Sequence, residues 1–197
     1  MKKKSGELNP EKVLYALEKE VRKRRAWDEP PEFGFIFASE KGTGTLPIPV
    51  PGKMWIDAGH PKNVLYALRD AFRKPLSTEA GQAFSNLRAA APPDMVGLYL
   101  RNEGWAPRKG TEGEMYRRRM AGGSTPNFKE MEGRVEVRVT TAVDKRGRVY
   151  MVQQERGGPV EGYCDTKAEQ GTCEVGGDVP KVLVELMMEF RPPADRT

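Results

Sequence analysis

The chain has 197 residues, of which 38% are hydrophobic and 31% are charged, and it carries a formal net charge of +5. This composition is polar for a globular protein, yet it allows a single folded domain and excludes a wholly disordered chain. No run approaches the roughly 18 apolar residues of a membrane span, and the first residues lack the apolar stretch of a secretory signal. We therefore expect a cytoplasmic protein that has no membrane contact.

The chain opens with a basic segment that leads into a helix. Residues 1–8 are expected to form a flexible basic tail. Asn9 followed by Pro10 predicts the start of a helix, because the Asn side chain can cap free amide groups and proline fits the first turn. Apolar residues then recur at helical spacing, and a run of cations at residues 22–25 marks the end of the helix.

The sequence VLYAL occurs twice, at residues 13–17 and 64–68. Each copy follows a proline that can start a helix, and each is followed further on by a Pro-Pro pair and a short apolar run. The pattern predicts two degenerate helix–strand units, with strands near residues 33–38 and 95–100. Because the copies are identical, we expect them to bury equivalent residues. These are Leu14 and Leu17 in the first copy and Leu65 and Leu68 in the second.

Between and after these units lie segments with weaker patterns. Residues 42–51 combine glycines with alternating prolines, so we interpret them as an extended linker. A helix is predicted over residues 78–91, where apolar residues fall on one face. Residues 106–132 are rich in Gly, Arg and Lys and have no sustained period, which predicts a long basic loop.

The clearest strand pattern lies near residues 135–143, where four valines and Thr141 alternate with Glu136, Arg138, Thr140 and Ala142. This alternation predicts one buried face and one wet face. Turn residues at 144–147 predict a hairpin whose second strand is 148–155. Residues 156–177 are expected to be loop, Pro180 to start a last helix, and residues 191–197 to form a flexible tail.

Together these elements predict one α+β domain over residues 1–197. It consists of the two helix–strand units, the β-hairpin and the C-terminal helix. The simplest assembly is an antiparallel sheet of about four strands with the helices packed on one face.

Several short motifs resemble a family of uncharacterised actinobacterial and actinophage small proteins. They are WDEPP at residues 27–31, the hairpin segments 136–138 and 142–144 with Gly147, and GDVP at residues 177–180. The resemblance covers most of the chain through these short motifs. It implies a fold and a host, an actinobacterium or its phage, and it implies no catalytic activity. The long basic loop and the cysteine pair are not features of that family.

Few residues suggest catalysis or metal binding. His60 is the only histidine and follows Asp57 by three residues, a pairing that occurs in general-base sites, but it also stands where a helix cap is expected, and we favour the cap. Cys164 and Cys173 have too few companions for a zinc site, and a reducing cytoplasm favours two free thiols over a disulfide. We predict no catalytic residue, no metal and no cofactor.

Clusters of Lys and Arg are the main indication of a partner. A nucleic acid needs several cations to neutralise its phosphates, whereas the ordinary alternative for such clusters is solubility. The candidate nucleic-acid contacts are Lys2, Lys3, Lys4, Arg22, Lys23, Arg24, Arg25, Arg117, Arg118 and Arg119.

Trp27, Trp55 and Trp105 each lie at the boundary of a predicted element. Large aromatic residues at such positions usually close a core, and we favour this interpretation. The alternative is a protein interface, because tryptophan is enriched in binding hot spots. All three are therefore candidate interface residues.

The sequence thus favours a non-enzymatic binding or regulatory protein whose partner is a protein. A nucleic-acid-associated accessory protein that uses the basic tail and loop is the alternative. An enzyme of unrecognised type comes third.

Overall fold

The computed structural model describes residues 8–107, 133–166 and 177–190. The predicted tails and nearly all of the predicted basic loop lie outside these residues. Within them the chain forms five helices and six strands. The helices are α1 (Pro10–Lys23), α2 (Gly52–Ala58), α3 (Pro61–Phe72), α4 (Glu79–Ala89) and α5 (Asp178–Phe190). The strands are β1 (Glu32–Ser39), β2 (Gly42–Ile48), β3 (Met95–Pro107), β4 (Arg134–Asp144), β5 (Val149–Glu155) and β6 (Val160–Asp165).

The predicted α+β class is confirmed, but the strand number is wrong. The six strands form one antiparallel sheet in the order β2-β1-β3-β4-β5-β6. Residues 42–48 are the edge strand β2 and not a linker, because at an edge the missing amide of Pro47 leaves no ladder hydrogen bond unmade. The expected loop at 156–177 contains the other edge strand, β6, whose sequence lacks the apolar alternation that predicts strands.

The helices pack on both faces of the sheet, which corrects the expected single face. On one face α1 packs against Ile36, Tyr99 and Tyr150. On the other face α3 and α5 pack against Phe33, Phe35, Leu98, Leu100 and Val143. The physical reason is visible in β1 and β3, where runs of four and six consecutive residues are buried and not only alternate ones. Strands that are covered on both faces carry continuous apolar runs.

The sheet curls around α1. The helix runs along β4 in the opposite direction, since the carbonyl of Leu8 near its start accepts a hydrogen bond from Arg148, just after β4, and the carbonyl of Arg24 at its end accepts one from Arg138, near the start of β4. A flat sheet of six strands is about 24 Å wide, whereas a helix is about 10 Å across. Nevertheless α1 contacts both edge strands, β2 and β6. The face that holds α1 is therefore concave.

A buried polar cluster fixes the β4–β5 hairpin to the start of α1. One carboxylate oxygen of Asp144 accepts hydrogen bonds from the backbone amides of Arg146 (2.8 Å) and Arg148 (3.1 Å). Its other oxygen accepts from Arg148 Nε (2.6 Å) and from the hydroxyl of Tyr150 (2.7 Å). Gly147 completes the turn with a positive φ of 86°, as the turn chemistry predicts. Asp144 and Arg148 are both buried, so each charge has the partner that burial requires.

Helices α3 and α5 run parallel and in register. Three ion pairs join them: Lys62–Asp178 (2.6 Å), Arg69–Glu185 (2.7 Å) and Arg73–Glu189 (3.4 Å). In each pair the residues are 116 apart in the chain, the cation lies on α3 or, for Arg73, directly after it, and the carboxylate lies on α5. Partly exposed pairs contribute little free energy each, so their main effect is to set the register.

The two VLYAL copies both form helices, but they bury different sides. Leu17, Leu65 and Leu68 are buried as expected, whereas Leu14 is only half-buried. Instead, α1 buries Ala16, whose equivalent in α3, Ala67, is exposed. The difference follows from the surroundings, because α1 lies in a concave sheet and α3 packs beside α5.

This difference gives a matched pair of variants. Ala16→Lys places a charge in the α1 core and should lower the free energy of unfolding by about 3 kcal/mol or more. Ala67→Lys makes the same change in the same pentapeptide on an exposed position and should alter it by about 0.5 kcal/mol or less. Urea unfolding followed by circular dichroism measures both. Equal effects of the two variants would show that the assigned orientation of one helix is wrong.

Candidate functional site

A buried arginine organises the end of the molecule where α1 finishes. Arg138 on β4 is only 1% exposed. Its Nε donates to Glu103 Oε1 (2.8 Å), one terminal nitrogen donates to the carbonyl of Arg24 (3.1 Å), and the other donates to the carbonyl of Ala26. The last carbonyls of a helix lack partners within the helix, and a basic side chain can supply them. Arg138 thus joins the end of α1 to the central strands.

The turn after α1 holds Trp27 over this arginine. The guanidinium of Arg138 lies 4.7 Å from the centre of the Trp27 ring, and that of Arg156 lies 5.5 Å from it. The next residue, Asp28, has a φ of +66°, and among the described residues no other non-glycine has a positive φ. Its amide donates to Glu103 Oε2 (2.6 Å). Asp tolerates this left-handed conformation better than most residues, and the hydrogen bond keeps it there.

Glu32, at the start of β1, forms two ion pairs and accepts one hydrogen bond from a tyrosine. Its carboxylate pairs with Arg24, with Arg101 (2.5 Å) and with the hydroxyl of Tyr99 (2.5 Å). Burial and the bond to Glu32 raise the pKa of the Tyr99 hydroxyl well above its usual value. Burial lowers the pKa of Arg101, and Glu32 opposes this effect. The charges in this part of the concave face are therefore paired internally.

Beyond Glu32 the β3–β4 pair continues without β1. The register of β1 with β3 reaches Arg101, whereas β3 pairs with β4 as far as Pro107 and Arg134. Trp105 lies on this extension, opposite Glu136, on the same side as Arg134 and Arg138, since alternate residues of a strand share a face. The guanidinium of Arg134 lies 4.9 Å from the centre of the Trp105 ring.

We call this surface the tryptophan–arginine face. It consists of Trp27, Trp105, Arg134, Arg138 and Arg156. The two tryptophans are half-buried, Arg134 is exposed, and the side chain of Arg156 is 55% exposed and pairs with Glu136 (2.5 Å). Two of the three tryptophans of the chain therefore lie at one end of the molecule with arginines over their rings.

The predicted nucleic-acid contacts do not form one cluster of free cations in the described part of the chain. Arg22 and Lys23 pair with Glu18 and Glu20 on α1 itself. Arg24 is paired internally with Glu29 and Glu32, so it is part of the fold and not a free cation. Arg25 is exposed. The remaining candidates, Lys2, Lys3, Lys4, Arg117, Arg118 and Arg119, lie outside the described residues.

The three tryptophans also differ in burial: one is buried and two are half-buried. Trp55 on α2 is 8% exposed and belongs to the same core cluster as residues of β1, α3 and α5, which favours the packing interpretation for this residue. Trp27 and Trp105 are half-buried and contact arginines at the surface, so they stay candidates.

His60 caps α3, as expected. Its Nδ1 accepts a hydrogen bond from the amide of Lys62 (3.2 Å). Asp57 instead pairs with Lys53 (2.6 Å), so its carboxylate is held by a lysine of its own helix. Cys164 is a half-buried free thiol whose pKa is raised by burial, and Cys173 lies outside the described residues.

Three carboxylates meet beside Trp27. Oxygens of Asp28, Glu103 and Glu136 all lie within 4.8 Å of one another. Glu103 and Glu136 already pair with Arg138 and Arg156, so their charges are compensated by guanidinium groups. A metal ion would have to displace these partners, and we assign no metal to the cluster.

The sequence pattern missed Arg138 because it placed this residue on a wet face. Arg138, Thr140 and Ala142 are all buried, so the predicted alternation of β4 is wrong on that side. The second cover is α1, which lies far from β4 in sequence. The sequence does show a WDEPP turn directly after the basic end of α1. This turn contains acidic residues, but nothing in it indicates that Arg138 is the buried residue beneath it.

No family model, curated protein or solved structure matches this chain. None of the helices in the described ranges is both long enough and apolar enough to cross a membrane.

Removing the buried guanidinium should destabilise the protein strongly. Arg138→Met leaves Glu103 and two carbonyls without their donor, and we expect a loss of about 3 to 5 kcal/mol in the free energy of unfolding. The double variant Arg138→Met with Glu103→Met should recover part of that loss, because no charge is then left unpaired. Arg134→Met, on an exposed position of the same strand, is the control and should change stability by about 0.5 kcal/mol or less. A stable Arg138→Met single variant would contradict the assignment.

The cap at His60 should make stability depend on pH. Burial and Lys62 lower the pKa of His60 below 6.5, so the folded state favours neutral imidazole, which alone can accept the hydrogen bond at Nδ1. The stabilisation is therefore present above pH 6.5 and is lost as the pH falls through the lowered pKa. Because the side chain is largely exposed, we expect an effect of about 1 kcal/mol at most.

The measurement compares urea unfolding of the wild type and of His60→Asn at about pH 7.5 and about pH 5.5. Asn keeps a cap acceptor but does not titrate, so the wild type should lose more stability than the variant on acidification. An identical loss in both proteins would show that His60 does not act through its protonation.

Proposed function

We propose that the protein is a non-enzymatic binding protein whose protein partner docks on the tryptophan–arginine face. The observation that carries the proposal is the juxtaposition of Trp27 and Trp105 with Arg134 and Arg156 at one end of the sheet. Tryptophan and arginine are the residues most enriched in the hot spots of protein interfaces.

The way these side chains are held supports the proposal. Trp105 and Arg134 lie on a paired β-ribbon, and Trp27 is fixed by Arg138 and by the left-handed turn at Asp28. A surface that is already ordered loses little conformational entropy on binding. A non-glycine residue held in a rarely populated backbone conformation is also more frequent at functional sites than elsewhere.

A nucleic-acid partner is the second candidate. The observation in its favour is that Arg25 and Arg134 are exposed cations for which the described residues provide no carboxylate partner. Against it, Arg22, Lys23 and Arg24 are paired with glutamates, and the described part of the chain carries nearly equal numbers of cations and carboxylates.

The test is quantitative capture from a nuclease-treated lysate, followed by mass spectrometry. The resemblance to actinobacterial and actinophage proteins selects an actinobacterium as the source of the lysate. We expect the wild type to retain specific proteins that Trp105→Ala loses by a factor of ten or more, because truncation removes the ring and the support of Arg134. Ile56→Ala, which changes an exposed apolar residue on α2, should retain them.

Equal capture by all three proteins would contradict this choice of surface. Capture that disappears in every sample after nuclease treatment, but depends on Trp105 without it, would favour the nucleic-acid candidate.

A further inference from the structure

We infer that the partner presents an acidic segment, and that the guanidinium of Arg134, which lies over the Trp105 ring, binds one of its carboxylates. This inference rests on the proposed function and adds the chemistry of the partner. It begins with the state of Arg134, which is exposed and contacts the Trp105 ring at 4.9 Å. Among the described residues it forms no ion pair.

Contact with the Trp105 ring prepares Arg134 for a carboxylate. A guanidinium over an aromatic ring is attracted to the ring face, and its N–H groups stay available to a further partner. These donors match the two oxygens of a carboxylate in a bidentate pair. Lysine has no flat face and no such fork of donors, so the arrangement is specific to arginine.

The charge that this end of the molecule shows to solvent is mainly positive. Glu32 and Glu103 are directed inward and paired with Arg24, Arg101 and Arg138. Glu136 is largely buried beneath Arg156, whose own side chain is 55% exposed. Among the described residues at this end, the exposed charged side chains are therefore those of Arg25, Arg134 and Arg156, against one exposed carboxylate, that of Asp28. An anionic segment complements this surface.

The tryptophan rings favour an acidic protein segment over a nucleic acid. Proteins that bind single-stranded nucleic acids stack bases on aromatic faces that are open to solvent. Here both rings are half-buried, and guanidinium groups lie over them at 4.7, 5.5 and 4.9 Å. The rings thus support arginines and do not offer a free platform for bases.

The experiment measures fluorescence anisotropy with three labelled probes: a decaglutamate peptide, a decaglutamine peptide and a ten-nucleotide oligothymidine. At low ionic strength the wild type should bind decaglutamate at least ten times more tightly than decaglutamine. Arg134→Gln should weaken decaglutamate binding at least tenfold. Arg134→Lys should weaken it nearly as much, although it keeps the charge.

Arg73→Gln is the matched control. It removes one exposed guanidinium from the residue that follows α3, on the other face of the sheet, and should change the affinity less than twofold. Circular dichroism spectra confirm that each variant is folded, and because Arg134 has no ion-pair partner in the described chain its replacement should leave the fold intact.

Three results would overturn the inference. They are equal binding of decaglutamate and decaglutamine, decaglutamate affinity that is unchanged by Arg134→Gln or fully kept by Arg134→Lys, and tighter, Arg134-dependent binding of the oligothymidine. The last result would assign the face to nucleic acid. If Trp105→Ala abolishes protein capture while decaglutamate fails to bind, the face binds a protein without carboxylate recognition, so this inference fails and the proposed function stands.

Discussion

The constraint on which this end of the structure depends is the burial of one guanidinium. A charge that is removed from water must be paired and hydrogen-bonded, or it unfolds its surroundings. Arg138 satisfies this requirement with a carboxylate from β3 and two carbonyls from the end of α1, and Trp27 covers it. These partners come from two separate parts of the chain, residues 24–27 and Glu103. The path of the α1–β1 connection and the position of Trp27 therefore follow from a single side chain of β4.

The elements that the sequence predicts well are those with a local cause. Asn9 and His60 cap the helices they precede, and Gly147 forms the turn that its neighbours predict. The elements that were missed depend on distant partners. Pro47 is compatible with a strand only because β2 lies at an edge, and β6 exists because β5 offers it a partner. The burial of Arg138 likewise requires α1, so no local pattern shows it.

The VLYAL pair shows how far local sequence determines packing. Five identical residues adopt the same secondary structure in both places, because helix propensity and capping act over a few residues. Which side is buried is decided by the neighbouring elements: a concave sheet for α1, and α5 with its row of carboxylates for α3. For this reason Ala16 is buried and Ala67 is exposed. The repeat therefore predicts the helices but not their orientation.

The tryptophan–arginine face is formed by contacts between residues that are distant in sequence, so no local pattern predicts it. Trp27 is adjacent in sequence to a turn, and Trp105 belongs to a strand, so nothing local connects them. The extension of β3 and β4 beyond β1 leaves Trp105 with no described strand beside it on one side, and the curl of the sheet around α1 brings the Trp27 turn to the same end. Internal pairing of Glu32 and Glu103 then leaves the arginines as the outward charges. A surface with two aromatic rings and an exposed guanidinium, that of Arg134, which has no carboxylate partner among the described residues, thus arises because Glu32 and Glu103 hold Arg101 and Arg138 in the interior.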